Sequence, residues 1–197
     1  MGYTGFERLW LVFAFSFFGW VLETVTAAVR QRRFVNRGLV NGPFCVLYGI
    51  TGTAMIVVCR ELHGIWLFLG SMIFSTLAEW IAGHVIERMY HERWWDYSHM
   101  KWNLDGYICV PVSIVWGVLG AATMRWGAPV LVRVFRMLPR TPGHLIVWIL
   151  AAVLAMDVTA TLCILSGRSR RIRQWEGVDS WLTGVSSRLE RKIYGWG

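Results

Sequence analysis

Residues Glu79 to Gly117 read EWIAGHVIERMYHERWWDYSHMKWNLDGYICVPVSIVWG. The stretch begins inside a long apolar run, leaves it through a crowd of charges and aromatic rings, and enters a second apolar run at Gly106. Such a pattern predicts two spanning helices joined by a polar segment at one membrane face. It also gathers unusual chemistry: Glu79 within an apolar run, histidines at His84 and His91, the Trp94-Trp95-Asp96-Tyr97 knot and the Asp105-Gly106 turn. This is where the wall and mouth of a membrane site are expected.

The rest of the chain agrees. At 55% hydrophobic and 16% charged residues, with a mean hydropathy of +0.45, it is too apolar for a soluble domain of 197 residues. Several runs approach the ~20 residues needed to cross a ~30 Å hydrocarbon layer. The fold class expected is therefore an all-α membrane protein. Its thirteen Trp fit interfacial belts.

A net charge of +8 would suit nucleic acid, but no nucleic-acid motif accompanies it. The arginines lie mainly between apolar runs, where topology and anionic lipid call for them, so the expected partner is the bilayer. Cys45, Cys59, Cys109 and Cys163 form no CxxC pair and are expected as free thiols. The first apolar run lacks a Lys/Arg-rich leader and is long enough to span, which predicts a retained helix.

Five spanning helices are predicted, over about 9–29, 43–59, 65–86, 106–124 and 145–165. Pro43 stands in the first turn of the second, where a missing N–H costs nothing. The segment 87–105 is expected along the interface. Over 130–140, Arg133, Arg136 and Arg140 oppose Leu131, Val134, Phe135 and Leu138, the pattern of a helix lying in the interface plane; a short re-entrant piece held by Pro129 and Pro139 is the alternative. Residues 1–166 form one transmembrane domain, and 167–197 a basic cytoplasmic tail. The basic loop 30–37, Arg88, Arg93, Lys101 and the tail outweigh Arg8, Arg60, Arg125, Arg133, Arg136 and Arg140, which places the N-terminus outside and the C-terminus inside.

A parallel two-helix repeat is expected over 6–60 and 65–126. Glu23 and Glu79 occupy matching depths, each followed by a basic, aromatic loop and a turn: Asn41-Gly42-Pro43 in one half, Asp105-Gly106-Tyr107 in the other.

A carboxylate within a spanning helix costs ~2.5–3.5 kcal/mol on insertion scales, so it faces a partner or a wet cavity. Glu23 and Glu79 are accordingly the leading candidates, as a solute or proton site or as partners of Arg30 or Arg37. The expected solute-binding set is Glu23, Asn36, Arg37, Tyr48, Glu79, Glu87, Trp95, Asp96, Tyr97 and Asn103. Arg37, with the start of the second helix, could hold an anion or simply pair with Glu23 or a headgroup. Trp94, Trp95, Tyr97 and Trp102 around Asp96 could form an aromatic box, or serve as belt anchors. His84, Glu87 and His91 have spacing that suits a divalent metal, though interfacial polar residues belong there too; no cofactor is expected. Asp157 is a further intramembrane acid, with Thr159 and Thr161 nearby.

Taken in order, Gly19-Trp20-Val21-Leu22-Glu23, Val35-Asn36-Arg37-Gly38-Leu39, Gly42-Pro43-Phe44-Cys45-Val46-Leu47-Tyr48-Gly49, Glu79, Glu87, Trp94-Trp95-Asp96-Tyr97-Ser98, Asn103, Gly106, Cys109 and Trp116-Gly117 resemble the CmpB-type ABC-transporter permeases, the ABC-transporter type IV family of small bacterial membrane proteins. The resemblance spans Phe6 to Gly117. It implies a permease-like protein of the bacterial cytoplasmic (inner) membrane, without fixing a substrate. The chain has no GxxxxGK[ST] loop, so an ABC mechanism requires a separate nucleotide-binding subunit. So few spans suggest a homodimer. Two other functions stay open: a membrane-embedded enzyme or lipid-handling protein using Glu79, His84, Glu87, His91 and Asp96, and a scaffold or assembly subunit.

Overall fold

The computed structural model describes residues 2–32, 42–90 and 93–165. The protein is an all-α membrane protein; among the described residues four helices are long and apolar enough to cross a bilayer and one shorter helix is apolar. The elements in order are α1 (Gly5–Gln31), α2 (Val46–Val58), α3 (Gly64–Tyr90), a two-residue strand β1 (Asn103–Leu104), its partner β2 (Ile108–Cys109), α4 (Val110–Ala122), α5 (Ala128–Met137) and α6 (Arg140–Leu165). Much of the apolar side-chain area points outward, including Val29, Ile73, Val118 and Met156, which in water would be a large liability and in lipid is the solvent contact.

Two compact units are present. One comprises Met1–Gly49 with Leu138–Gly197, the other Ile50–Met137.

In the first unit, α1 begins at a reciprocal cap. Thr4 Oγ1 accepts from the Glu7 N–H while the Glu7 carboxylate accepts from the Thr4 N–H at 2.7 Å, satisfying two otherwise orphaned donors. Phe6, in the first turn, stacks on His144, near the start of α6, with ring centroids 3.7 Å apart. The starts of α1 and α6 therefore lie together. Leu11, Phe13, Phe44 and Val147 supply the buried core of this unit.

In the second unit, α3 and α4 pack as an antiparallel hairpin through small residues. A Cβ at Gly117 would fall 2.8 Å from Met72 Cβ, and one at Gly120 2.8 Å from Ser71 Cβ, so both positions are closed to anything larger. Met55, Cys59 and Leu67 form the buried cluster at its other end, flanked by Leu62, Phe74 and Met124.

Several boundaries differ from the sequence reading, each for a physical reason. The helix expected to open at Gly106 starts at Val110, because Asp105 and Gly106 (φ 53° and 76°) form the turn of the hairpin β1–β2 instead. Helix α3 runs on to Tyr90, past the charged pair Glu87-Arg88, since a helix end can leave the apolar layer without unwinding. The second helix starts at Val46 rather than Pro43, leaving Pro43 in the entering chain. The helix over 130–140 is not a separate piece in the interface plane. It is α5, joined to α4 by one π turn at Thr123–Gly127, and the continuous helix Val110–Met137 is long and apolar enough to cross. Pro129 explains the join: it lacks the N–H that an α turn would use, and the wider turn, closed by the Ala128 N–H on the Thr123 carbonyl, accommodates it. The amphipathic pattern persists, with Val132 and Phe135 buried and Arg133 and Arg136 exposed.

Candidate functional site

The second unit holds a polar knot at the end of α3. Its frame is the hairpin, whose turn closes with the Tyr107 N–H on the Leu104 carbonyl at 3.1 Å. Asn103 braces it from inside, donating to the Met100 carbonyl at 2.7 Å and accepting from the Gly106 N–H at 3.1 Å. Asp96 opens the preceding segment by accepting from both the N–H and the hydroxyl of Ser98, the local turn that a short carboxylate favours. The Tyr97 N–H then donates to the Gly106 carbonyl at 2.9 Å, and the Trp95 indole N–H to the Tyr107 carbonyl at 2.9 Å. Every polar atom named is spent on holding 95–107 in one shape.

That shape is pinned to α3 by side chains. The Tyr107 hydroxyl donates to Glu87, and its ring lies over Gly83 and against His84, with centroids 4.0 Å apart. Arg93 joins the same carboxylate from Nε at 3.1 Å, donates from Nη1 to the Asp105 carbonyl at 3.0 Å, and sits 4.6 Å above the Tyr107 ring. Donation to Glu87 holds the Tyr107 phenol above its ordinary ionisation range and also raises Arg93. The Ser98 hydroxyl, then its N–H, lowers the Asp96 carboxyl. Two turns deeper along α3, about 12 Å by helix rise, the Tyr97 hydroxyl reaches Glu79 Oε1 at 3.0 Å.

The first unit carries a second acid–phenol pair. The Tyr48 hydroxyl, from the first turn of α2, donates to Glu23 Oε1 on α1 at 2.5 Å, within the range of a charge-assisted O–H···O⁻ bond. The Tyr48 ring lies over Gly19, where any Cβ would overlap it. Close by in sequence, the Gly42 N–H donates to Asp157 Oδ2 on α6 at 2.7 Å; Asp157 is buried.

Residues 10–162 match the family described as Putative ABC-transporter type IV. The chain belongs to that family. Neither a curated protein nor a solved structure matches it. The family match takes in most of α6, so it extends well beyond Gly117 and includes Asp157.

Within this ABC-transporter-type protein, the expected site residues fall into two groups. Glu23 and Tyr48 meet in the first unit; Glu79, Glu87, Trp95, Asp96, Tyr97 and Asn103 share one bonded assembly in the second. Asn36, Arg37 and His91 lie outside the described residues. Trp95 and Tyr97 spend their polar atoms on Tyr107 and Glu79, Trp102 is 77% exposed, and Asp96 is met by Ser98 and Arg93. His84 faces the Trp80 carbonyl at 2.9 Å and the Tyr107 ring. Among the described residues no group of three His, Cys, Asp or Glu side chains is placed to hold a metal.

Sequence reasoning overlooked Tyr107 and Arg93 as anchors and left Asp157 without a role. The signal for the first two was available: Asp-Gly flanked by apolar residues marks a hairpin, which folds the following tyrosine back onto the preceding helix. For Asp157 the only sign was its being a carboxylate in an apolar helix.

Proposed function

We propose that this chain is the membrane-spanning, permease-type subunit of a transport system in the bacterial inner membrane. It moves a small polar or charged solute, with Glu23 and Glu79 as the groups that the solute or its coupled proton meets. The observation carrying this reading is that each deep glutamate is held by a tyrosine hydroxyl. A phenol orients a carboxylate and donates one hydrogen bond, but it brings no positive charge. Among the described residues no ion pair involves Glu23. A carboxylate so placed favours a cation or a proton, which makes a cationic or protonatable solute the class that fits best. The chain acts as a homodimer, with its N-terminus outside and C-terminus inside, and a separate nucleotide-binding subunit supplies energy where ATP drives the cycle.

The test uses the full chain in liposomes, with proton entry followed by an entrapped pH dye and with labelled sodium, rubidium and choline as cation probes. At least one probe should cross faster than in protein-free vesicles. Glu23→Gln and Glu79→Gln should abolish that flux while the protein remains monodisperse in detergent. Flux that both variants retain would overturn the assignment of the glutamates, and no flux of any probe would overturn the cation reading.

A further inference from the structure

Glu79 is the only ionisable residue of α3 before His84. Helix α4, and α2 from Ile50 onward, hold no charged side chain. Polar character in the middle of the second unit therefore comes from hydroxyl groups. Four-residue steps set Ser71, Ser75 and Glu79 along one stripe of α3, with Thr76 beside Glu79 three positions away. By helix rise the stripe is about 12 Å long and starts about 10 Å from the first residue of the helix. It thus occupies the middle of the span Gly64–Arg88. Ile73, Leu77 and Ile81, on the other side of the helix, are exposed.

The hydroxyls of this stripe are enclosed without being satisfied. Ser71 is fully buried beside Gly120 of α4 and Met55 of α2: a Cβ on Gly120 would fall 2.8 Å from Ser71 Cβ and 3.1 Å from Met55 Sδ. Among the described residues, Ser71 Oγ and Thr76 Oγ1 meet no hydrogen-bond partner. Ser75 Oγ donates to Met55 Sδ at 4.0 Å, and a thioether is a weak acceptor. Exposed hydroxyls in the spanning helices behave otherwise. Thr26 and Thr159 donate to the carbonyl one turn earlier, Leu22 and Ala155, each at 2.7 Å. The same bond is open to Ser71 and Thr76 by sequence position, and neither makes it.

Close packing does not account for the hydroxyl at 71. It calls for a small residue opposite Gly120, and alanine would meet that need without burying a donor. Buried polar groups are, with few exceptions, met by protein or by ordered water. For Ser71 and Thr76 the protein supplies no partner, which leaves water.

We propose that the face of α3 from Ser71 to Glu79 is wetted within the second unit, and that a proton or a small cation reaches Glu79 along it. Ser71, Ser75 and Thr76 are its positioning residues. A hydroxyl donates and accepts at once, so it can hold a water molecule, relay a proton through it, or stand in for one water of a cation's shell. With one carboxylate and no cationic side chain in this layer, an anion finds nothing to hold it. This deepens the transport reading and rests on Glu79 as the group that the solute or its proton meets.

Radiolysis by a short X-ray pulse tests this, because hydroxyl radicals form wherever water stands and oxidise the side chains beside it. The full chain in liposomes is pulsed, digested and read by peptide mass spectrometry. Met55 is the reporter, being 3% exposed and in contact with Ser75. Met156, 63% exposed within the span of α6, is the lipid-facing reference, and Met100, in the polar segment, reports the dose. Met55 should be oxidised several-fold faster than Met156, the reverse of their exposure. Ser71→Ala should lower the Met55 rate by up to about tenfold, the change in water occupancy for one lost hydrogen bond. If that variant does not fold, Ser75→Ala replaces it. Met55 oxidised no faster than Met156 would overturn the wet stripe, and an unchanged Met55 rate in the alanine variant would overturn the role of the hydroxyls. The readout follows water alone. A wet stripe in a protein that passes no cation would sink the transport reading and leave this one standing, whereas flux lost in Glu79→Gln beside a dry stripe would do the opposite.

Discussion

Tyr48 and Glu23 meet across the first unit at 2.5 Å, one from the opening turn of α2 and one from the later part of α1. The phenol donates and the carboxylate accepts, so the two residues are unequal partners in stability. Tyr48→Phe removes a bond to a charged group and leaves the carboxylate in an apolar layer, a loss of about 1.5–3 kcal/mol. Glu23→Gln keeps an oxygen acceptor for the phenol and removes the charge whose burial is costly. Thermal unfolding in detergent should therefore show a lower midpoint for Tyr48→Phe and an equal or higher one for Glu23→Gln. A higher midpoint together with lost flux would mark Glu23 as a group kept for function at the expense of stability.

The same pair depends on two glycines. A Cβ at Gly19 would overlap the Tyr48 ring and fall 2.5 Å from the Tyr48 Cβ, so swinging the ring off Glu23 relieves only part of the clash and α2 must also shift. A Cβ at Gly49 would meet the Val12 carbonyl, which is backbone and cannot swing. Gly49→Ala and Gly19→Ala should each cost about 1–3 kcal/mol of overpacking. Gly19→Ala should cost more than Tyr48→Phe, and Tyr48→Phe should add little to it because the bond to Glu23 is already disturbed. A double-mutant cycle on unfolding midpoints checks this, and full additivity would contradict it.

How far these features could be read in advance follows from where the physics acts. The spanning helices were legible because hydrocarbon demands long apolar runs, and Glu23 and Glu79 stood out because it resists their charge. The partners of those acids were not legible. Tyr48 sits 25 positions from Glu23, and Tyr97 18 from Glu79, and only tertiary packing chooses them. Boundaries failed where composition and backbone geometry diverge. Glu87 and Arg88 look like a loop but continue α3; Gly106 looks like a helix start but has a positive φ; Pro129 looks like a break but is absorbed by a π turn. The early start of α6 is of the same kind, since Pro142 falls in its first turn, where its missing N–H is no loss.

Gly106 should be the least replaceable residue of the α3–α4 connection. Its φ of 76° favours glycine, and a Cβ would crowd Asp96 Oδ1, Ser98 Oγ and the Arg93 guanidinium together. Gly106→Ala should cost about 1–2 kcal/mol for the left-handed backbone alone, with the crowding added. Asp105 also has a positive φ, but Asp105→Gly relaxes that strain and should be neutral or mildly stabilising. Unfolding midpoints of the two variants should therefore move in opposite directions or, at the least, differ sharply. Equal losses would mean that the turn does not hold this geometry.

The knot should respond to pH at both extremes, with opposite signs. Tyr107 has its ionisation raised above 10.0 because its hydroxyl donates to Glu87. A group raised in the folded state contributes fully below its unfolded value and loses that contribution as pH climbs through the folded one. The hairpin should thus stay pinned up to about pH 10 and loosen beyond it. Asp96 is lowered beneath 3.8 by the Ser98 hydroxyl and N–H, so its contribution is present above that value and disappears as pH falls through the lowered one. Protease cleavage within 93–105 should accordingly be slow from about pH 5 to 10 and quicken outside that window. Tyr107→Phe should abolish the alkaline limb and leave the acid limb intact, while Asp96→Asn should do the reverse. If both limbs survive both substitutions, the pH response belongs to other groups and the pinning of this loop through Tyr107 and Asp96 is wrong.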